Sequence, residues 1–308
     1  MSRIISAIRN GRGLPAYTAF VVAFMVLVIL EGAVVRATSS GAGCGAHWPL
    51  CNGEILPHHP RLATIIEFTH RSLTGICTTL VAVLIAWTFL ARTRGDRGRK
   101  ATVATGILLI TEGALGALLV LGRYVENNAS TARVIVQCVH FSNTMFLLAA
   151  MTLTWWWLRP REVTPLCPTG RIAAILALLA TLLTGATGSV AALADTLFPS
   201  PSLRAALAQD FNANAPLLIH MRWIHPAAAL LAFAASLWLL PQLRSLPRIW
   251  LAVLIFAQIA LGVADVLLLA PLYMQVLHLL FADLYWIALV AACSGLLMPA
   301  SAADKQIA

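Results

Sequence analysis

The chain has 308 residues, 60% of them hydrophobic and only 11% charged, with a formal net charge of +9. A soluble domain carries about 25% charged residues, so these charges are too few to clothe a water-facing surface. The basic residues lie in short gaps between apolar runs, which excludes a nucleic-acid footprint, a soluble enzyme and a disordered chain. What remains is a polytopic membrane protein.

A helix needs roughly 20 apolar residues to cross the hydrocarbon core. Eight runs reach that length, at 15–36, 63–90, 101–122, 134–157, 171–194, 217–240, 249–270 and 273–297. The first follows Arg3, Arg9 and Arg12, but it is too long for a secretory h-region and has no small-residue cleavage site, so it reads as a retained span. The gaps after spans two, four and six are basic, with Arg92, Arg94, Arg97, Arg99 and Lys100, then Arg159, Arg161 and Arg171, then Arg244 and Arg248. With the N-terminal tail and Lys305, that side holds 14 of the 21 Lys and Arg residues. The other gaps carry Arg61, Arg123, Arg133 and Arg204, diluted by Glu54, Glu126, Asp195 and Asp210. The positive-inside rule then puts both termini in the cytoplasm. Compact loops and the lack of a transit peptide favour a bacterial cytoplasmic membrane.

Spans one to four echo spans five to eight. Gln137 precedes His140 by three residues in span four, as Gln275 precedes His278 in span eight. His70 and His225 sit at similar depths in spans two and six, and Ala114-Leu115-Gly116 matches Ala260-Leu261-Gly262. A duplicated four-helix unit restores its own orientation, the parallel-repeat case. The expected fold is an all-α polytopic membrane protein of eight transmembrane helices, arranged as two pseudo-twofold-related four-helix bundles over 1–160 and 161–308.

Ionisable residues inside spans are costly and mark functional positions. His70, His140, His225 and His278 each lie about six to eight residues from the outer end of an even-numbered span, roughly 9–12 Å deep at 1.5 Å per residue. One histidine from each of two helices at matched depth is the arrangement that grips haem iron from both sides. The pairs would be His70 with His140 and His225 with His278. For a lone histidine, a hydrogen bond to a neighbouring helix is the plainer reading. Zinc would need further protein ligands around one point. His220 competes with His225, but its five-residue offset turns it about 140° away on a helix of 3.6 residues per turn. Pro226 removes a backbone hydrogen bond beside His225, where a kink would aim the ring.

The chain resembles the haem A synthase family over nearly its whole length. The resemblance rests on Gly32-Ala-Val-Val-Arg36-Ala-Thr leading into Cys44 and Trp48-Pro49-Leu50-Cys51-Asn52-Gly53, on Glu67-Phe68-Thr69-His70-Arg71, and on His278-Leu-Leu-Phe-Ala-Asp283-Leu-Tyr-Trp286. It implies oxidation of the C8 methyl of haem O to a formyl group, giving haem A for a terminal oxidase. It further implies a substrate haem in the first half and a bound haem B in the second. Haem O synthase would supply the substrate, and the electron partner is unnamed.

Glu67 stands three residues before His70 on the same helix face, where the second half has Arg222 before His225. A carboxylate there suits proton handling during methyl oxidation. The alternative is a simple pairing with Arg71 at the membrane edge. Arg36, Arg71 and Arg222 are candidate propionate anchors, or basic side chains snorkelling to lipid headgroups. Glu31, Glu112 and Asp265, all inside spans, need partners the sequence does not name. Cys44 and Cys51 share the first outer loop on the oxidising side and are expected to form a disulfide, as a staple or as a redox-active pair. The matching loop at about 195–216 has no cysteine, and Gly45-Ala46-His47 stands where the family often has Pro-Asp. The rival readings are a di-haem b-type electron carrier and a non-catalytic haem transporter or chaperone.

Overall fold

The computed structural model describes residues 10–159 and 167–297. Arg3, Arg9, Arg161 and Lys305, used above for orientation, lie outside them. Eight helices among the described residues are long and apolar enough to cross a membrane. They are α1 (Leu14–Ala37), α2 (Leu62–Ala91), α3 (Arg97–Leu121), α4 (Thr131–Leu158), α5 (Pro168–Leu197), α7 (Leu217–Gln242), α8 (Ser245–Leu267) and α9 (Leu272–Ala292). A short helix, α6 (Leu203–Asp210), lies in the loop before α7. The only β pairing among the described residues is a bridge between Cys51 and Glu54.

Local signals set the ends. Asp96 caps α3 by accepting from the Arg99 amide, so α3 begins at Arg97, within the basic run rather than after it. Ser130 caps α4 in the same way. Pro168 occupies the first turn of α5, whose cap is the Cys167 sulfur. The span α7 is not one continuous α-helix. It runs α over Leu217–His220, tightens to a 3-10 turn over Met221–Trp223 and resumes α at Ile224. Pro226 cannot donate to the Arg222 carbonyl, and the tighter turn is the local answer.

The chain divides into two compact units, Met1–Pro160 and Arg161–Ala308. In the first, α1 packs on α2 and α4, and α3 packs on the same two, so the helices form a ring in which α2 and α4 are diagonal. In the second, α5 packs on α7 and α9, and α8 on the same two, so α7 and α9 are diagonal. Each unit also ties its basic-loop end with an arginine on a distant carbonyl: Arg92 donates to Leu158 at 2.8 Å, and Arg171 to Leu296 at 3.0 Å. Leu14, Leu84 and Leu158 close the core at that end of the first unit, with Tyr17 and Trp87 against them.

Large apolar side chains such as Ile107, Ile110, Leu179 and Leu230 point outward. In water such faces would drive association; in lipid they are the required solvent contact. Threonine hydroxyls inside the spans, including Thr74, Thr102, Thr105, Thr152 and Thr154, bond to the carbonyl four residues back. No polar hydrogen of these residues is left facing hydrocarbon.

Candidate haem sites

Each histidine rests on a glycine of a neighbouring helix. A methyl group built on Gly32 of α1 would stand 3.0 Å from Cε1 of His70 on α2. The same construction gives 3.9 Å from Gly116 of α3 to His140 on α4, 2.9 Å from Gly188 of α5 to His225 on α7, and 3.0 Å from Gly262 of α8 to His278 on α9. Helices α1, α3, α5 and α8 therefore supply four glycines, and the diagonal helices of each ring supply four imidazoles. At three of the four positions any side chain would push the ring away.

His225 and His278 face each other with ring centres 6.3 Å apart and planes at 85°. A metal held between two imidazole nitrogens at about 2 Å each puts ring centres roughly 6 Å apart, so this pair fits an iron clamped from both sides. The Nδ1 atoms of His70, His140 and His278 are buried without a hydrogen-bond partner. Among the described residues no three His, Cys, Asp or Glu side chains gather to hold a metal ion. A metal on these histidines must bring its own equatorial ligands, as a porphyrin does.

Polar partners differ from ring to ring. His225 Nδ1 lies 3.1 Å from the Thr184 carbonyl. Gln258 Nε2 lies 3.3 Å from His278 Nε2. Glu112 Oε1 stands 3.4 Å from His140 Nδ1, at ion-pair distance but without hydrogen-bond alignment. Asn143 donates to the other Glu112 oxygen at 2.6 Å, and Thr144 donates to Oε1. Thr111 fixes Asn143 by donating to its Oδ1 at 2.8 Å. His220 is elsewhere, with Nδ1 3.1 Å from the carbonyl of Asp210 at the end of α6. Asp283 is buried in α9 with Oδ2 unpartnered.

Glu67 is buried, and both of its oxygens are engaged: Oε2 accepts from the Cys44 amide at 2.7 Å, and Oε1 accepts from Arg71 Nε at 3.1 Å and from its Nη2. Arg71 Nη1 donates to the carbonyls of His47 at 2.6 Å and Leu50 at 2.7 Å. Thr64 donates to the Gly43 carbonyl at 2.8 Å. Thr64, Glu67 and Arg71 form one stripe of α2 that grips the loop between α1 and α2. A methyl on Gly43 would stand 2.3 Å from the Ala63 carbonyl oxygen, so that approach requires glycine. Cys44 and Cys51 are disulfide-bonded within the loop. Asn52 and Gly53, both with positive φ, make the tight reversal between Cys51 and Glu54.

The position matching Glu67 in the second unit, Arg222, donates to Asp210 at 2.6 Å and 3.1 Å and to Asp195 at 3.0 Å. The Asp residues at the end of α5 and of α6 thus converge on one guanidinium. Arg36 lies in the last turn of α1. The sequence did not point to Asn143, Thr144, Thr184, Gly188 or Gln258.

A family model described as cytochrome oxidase assembly protein, COX15-CtaA, matches residues 16–63 and 60–290. The chain belongs to the COX15-CtaA family. A relative from Thermus thermophilus named protoheme IX farnesyltransferase is 40% identical over 289 residues, 90% of this chain and 47% of its own length. Proteins named heme A synthase are also similar: one from Alkalihalophilus pseudofirmus is 36% identical over 129 residues, 42% of this chain and 41% of its own. One from Exiguobacterium sibiricum is 34% identical over 143 residues, 46% of this chain and 45% of its own. The chain thus spans about half the length, or less, of these family relatives.

Proposed function

We propose that this chain is a haem A synthase, an oxidoreductase that converts the C8 methyl of haem O to the formyl group of haem A for a terminal oxidase. The observation that carries the reading is the fourfold pairing of a histidine with a glycine, two pairs in each ring, with His225 and His278 spaced for one iron. The relatives named heme A synthase support it. Haem O is the substrate of the first unit, held through His70 and His140. Haem B is the resident group of the second, held by His225 and His278, where it supplies a one-electron relay.

Converting a methyl to a formyl group takes four electrons from that carbon, which pass to an external acceptor, and with water as the oxygen source it releases four protons, which must leave the site. Glu67 is the proposed proton-handling residue, one helical turn from His70 on the same face. Its bonds to Cys44 and Arg71 tie that face to the disulfide loop. Arg36 is the proposed anchor for a propionate, and Arg71 and Arg222 retain N–H donors beyond their present bonds for the same use. The apolar tail of haem O stays in the bilayer. A farnesyltransferase acting on protohaem is the proposed substrate donor, a reading supported by the Thermus relative, in which a region like this chain occupies under half of a protein with that name. Both termini are proposed to face the cytoplasm of a bacterium.

The test is chromatography and mass spectrometry of haems extracted from the protein after co-expression with a haem O supply. Haem A or a hydroxylated haem O is expected from the wild type and from neither a vector control nor His70→Ala. Unchanged haem O with full loading of both units would overturn the synthase reading.

A further inference from the structure

We infer that Glu112 is a positioning residue that acts through His140, giving the first-unit haem a lower reduction potential than its second-unit counterpart. The inference deepens the proposed function and rests on His140 being an iron ligand. Glu112 enters from α3, four residues before Gly116, and Gln258 stands four residues before Gly262 on α8. Each stands beside the histidine that rests on its glycine, but on different nitrogens: Glu112 is 3.4 Å from Nδ1 of His140, and Gln258 is 3.3 Å from Nε2 of His278. The duplicated frame therefore presents a carboxylate to one imidazole and a neutral amide to the other.

The surroundings of Glu112 hold it for this role. Asn143 donates to one oxygen and Thr144 to the other, and both follow His140 on α4 within about one turn. Asn143 is itself fixed by the Thr111 hydroxyl and by donation to the Leu108 carbonyl at 3.0 Å. The carboxylate is thus oriented from two helices with Oε1 beside Nδ1 of His140. A carboxylate this close to the distal nitrogen of a ligating histidine polarises the imidazole and makes its metal-bound nitrogen more electron-donating. Greater donation favours the ferric over the ferrous state. The Gln258 amide lies on the Nε2 side of His278, whose Nδ1 has no hydrogen-bond partner, so no carboxylate polarises that ring.

The experiment is potentiometric titration of the purified protein loaded with haem O by co-expression, each haem assigned by the signal that His140→Ala or His278→Ala removes. Glu112→Gln is expected to raise the midpoint of the first-unit haem until its reduced-to-oxidised ratio at a fixed potential changes at least tenfold, about 59 mV for a one-electron couple. Glu112→Asp should retain most of the wild-type value, and the second-unit haem, unshifted, reports that the fold is intact. Two bound haems with an unshifted first-unit midpoint in Glu112→Gln would overturn the inference. A protein from which His140→Ala removes no haem signal would overturn the haem reading beneath it.

Discussion

The two units share a frame and differ in what they set around it. Both are rings of four helices with histidines on diagonal members, and both rest those histidines on glycines. The residue three before the first histidine is Glu67 in one and Arg222 in the other, yet both close the outer edge of their unit. Glu67 holds a disulfide loop through the Cys44 amide and Arg71, whereas Arg222 gathers Asp195 and Asp210. Beside the second histidine the pair is Glu112 and Gln258. The two units have the same histidine–glycine frame and differ in the charged groups set around it. On the proposed assignment a substrate enters and leaves the first unit while a resident group stays in the second, which accounts for divergence at the edges.

The largest separation between the units is expected at those edges. Arg222→Met leaves two carboxylates facing each other without their cation. Breaking a buried pair costs about 3–5 kcal/mol, and partial exposure of Asp195 brings the expected loss to about 2–3 kcal/mol. Glu67→Gln keeps an acceptor for the Cys44 amide and should cost only about 1–2 kcal/mol. Thermal unfolding in detergent, with the absorbance of each haem followed separately, measures both. Arg222→Met should release the second-unit haem first, and equal losses from both units would break the comparison.

The glycines sharpen it further. Gly188→Ala and Gly32→Ala place a methyl at 2.9 and 3.0 Å from a histidine ring, and overpacking of that kind costs about 1–3 kcal/mol. Gly116→Ala meets His140 at 3.9 Å, an ordinary contact, and an alanine is about 1 kcal/mol better than glycine inside a helix. Gly116→Ala should therefore retain haem and unfold no earlier than wild type, while the other two lose haem affinity. Equal damage at Gly116 would mean that the ring of His140 does not have the room described.

Much of this was legible in the sequence because lipid imposes simple rules. Runs of about 20 apolar residues could be read directly, and four histidines inside them stood out as polar atoms in the wrong solvent. Helical rotation showed only that His220 and His225 cannot face one iron, and the match of His225 with His70 favoured His225. In the structure one ring faces His278 and the other bonds to Asp210 in the loop before α7. Helix α3 starts at Arg97, ahead of the apolar run at 101–122, because hydropathy ignores the Asp96 cap that extends the helix into charged residues. Partners across helices were beyond reach. Glu112 was recognisable as needing a partner, but that Asn143 and Thr144 meet it depends on how α3 and α4 are rotated against each other. Gly188 was hidden among 19 glycines, since nothing in its neighbours marks the one that a ring will touch. Asp195 and Asp210 were visible as charges but not as the two halves of one clamp.

The smallest expected effect concerns pH at the outer edge of the first unit, which the second unit does not share in this form. Glu54 closes the turn after Cys51, and its Oε2 is 3.1 Å from both the ring Nδ1 and the amide nitrogen of His58. These bonds from the His58 side chain and backbone hold the Glu54 carboxyl below the usual carboxylate range. A lowered value in the folded loop means that the contribution is fully present above the unfolded value of about 4.3 and is lost as pH falls through the lower folded value. Amide exchange over residues 51–58, corrected for its intrinsic pH dependence, should stay flat from about pH 8 to about 5.5 and accelerate only below about 4. His58→Ala should exchange faster across the whole range while the loop over 195–216 is unaffected. Exchange that stays flat down to about pH 3 would show that the Glu54 carboxylate does not govern the turn.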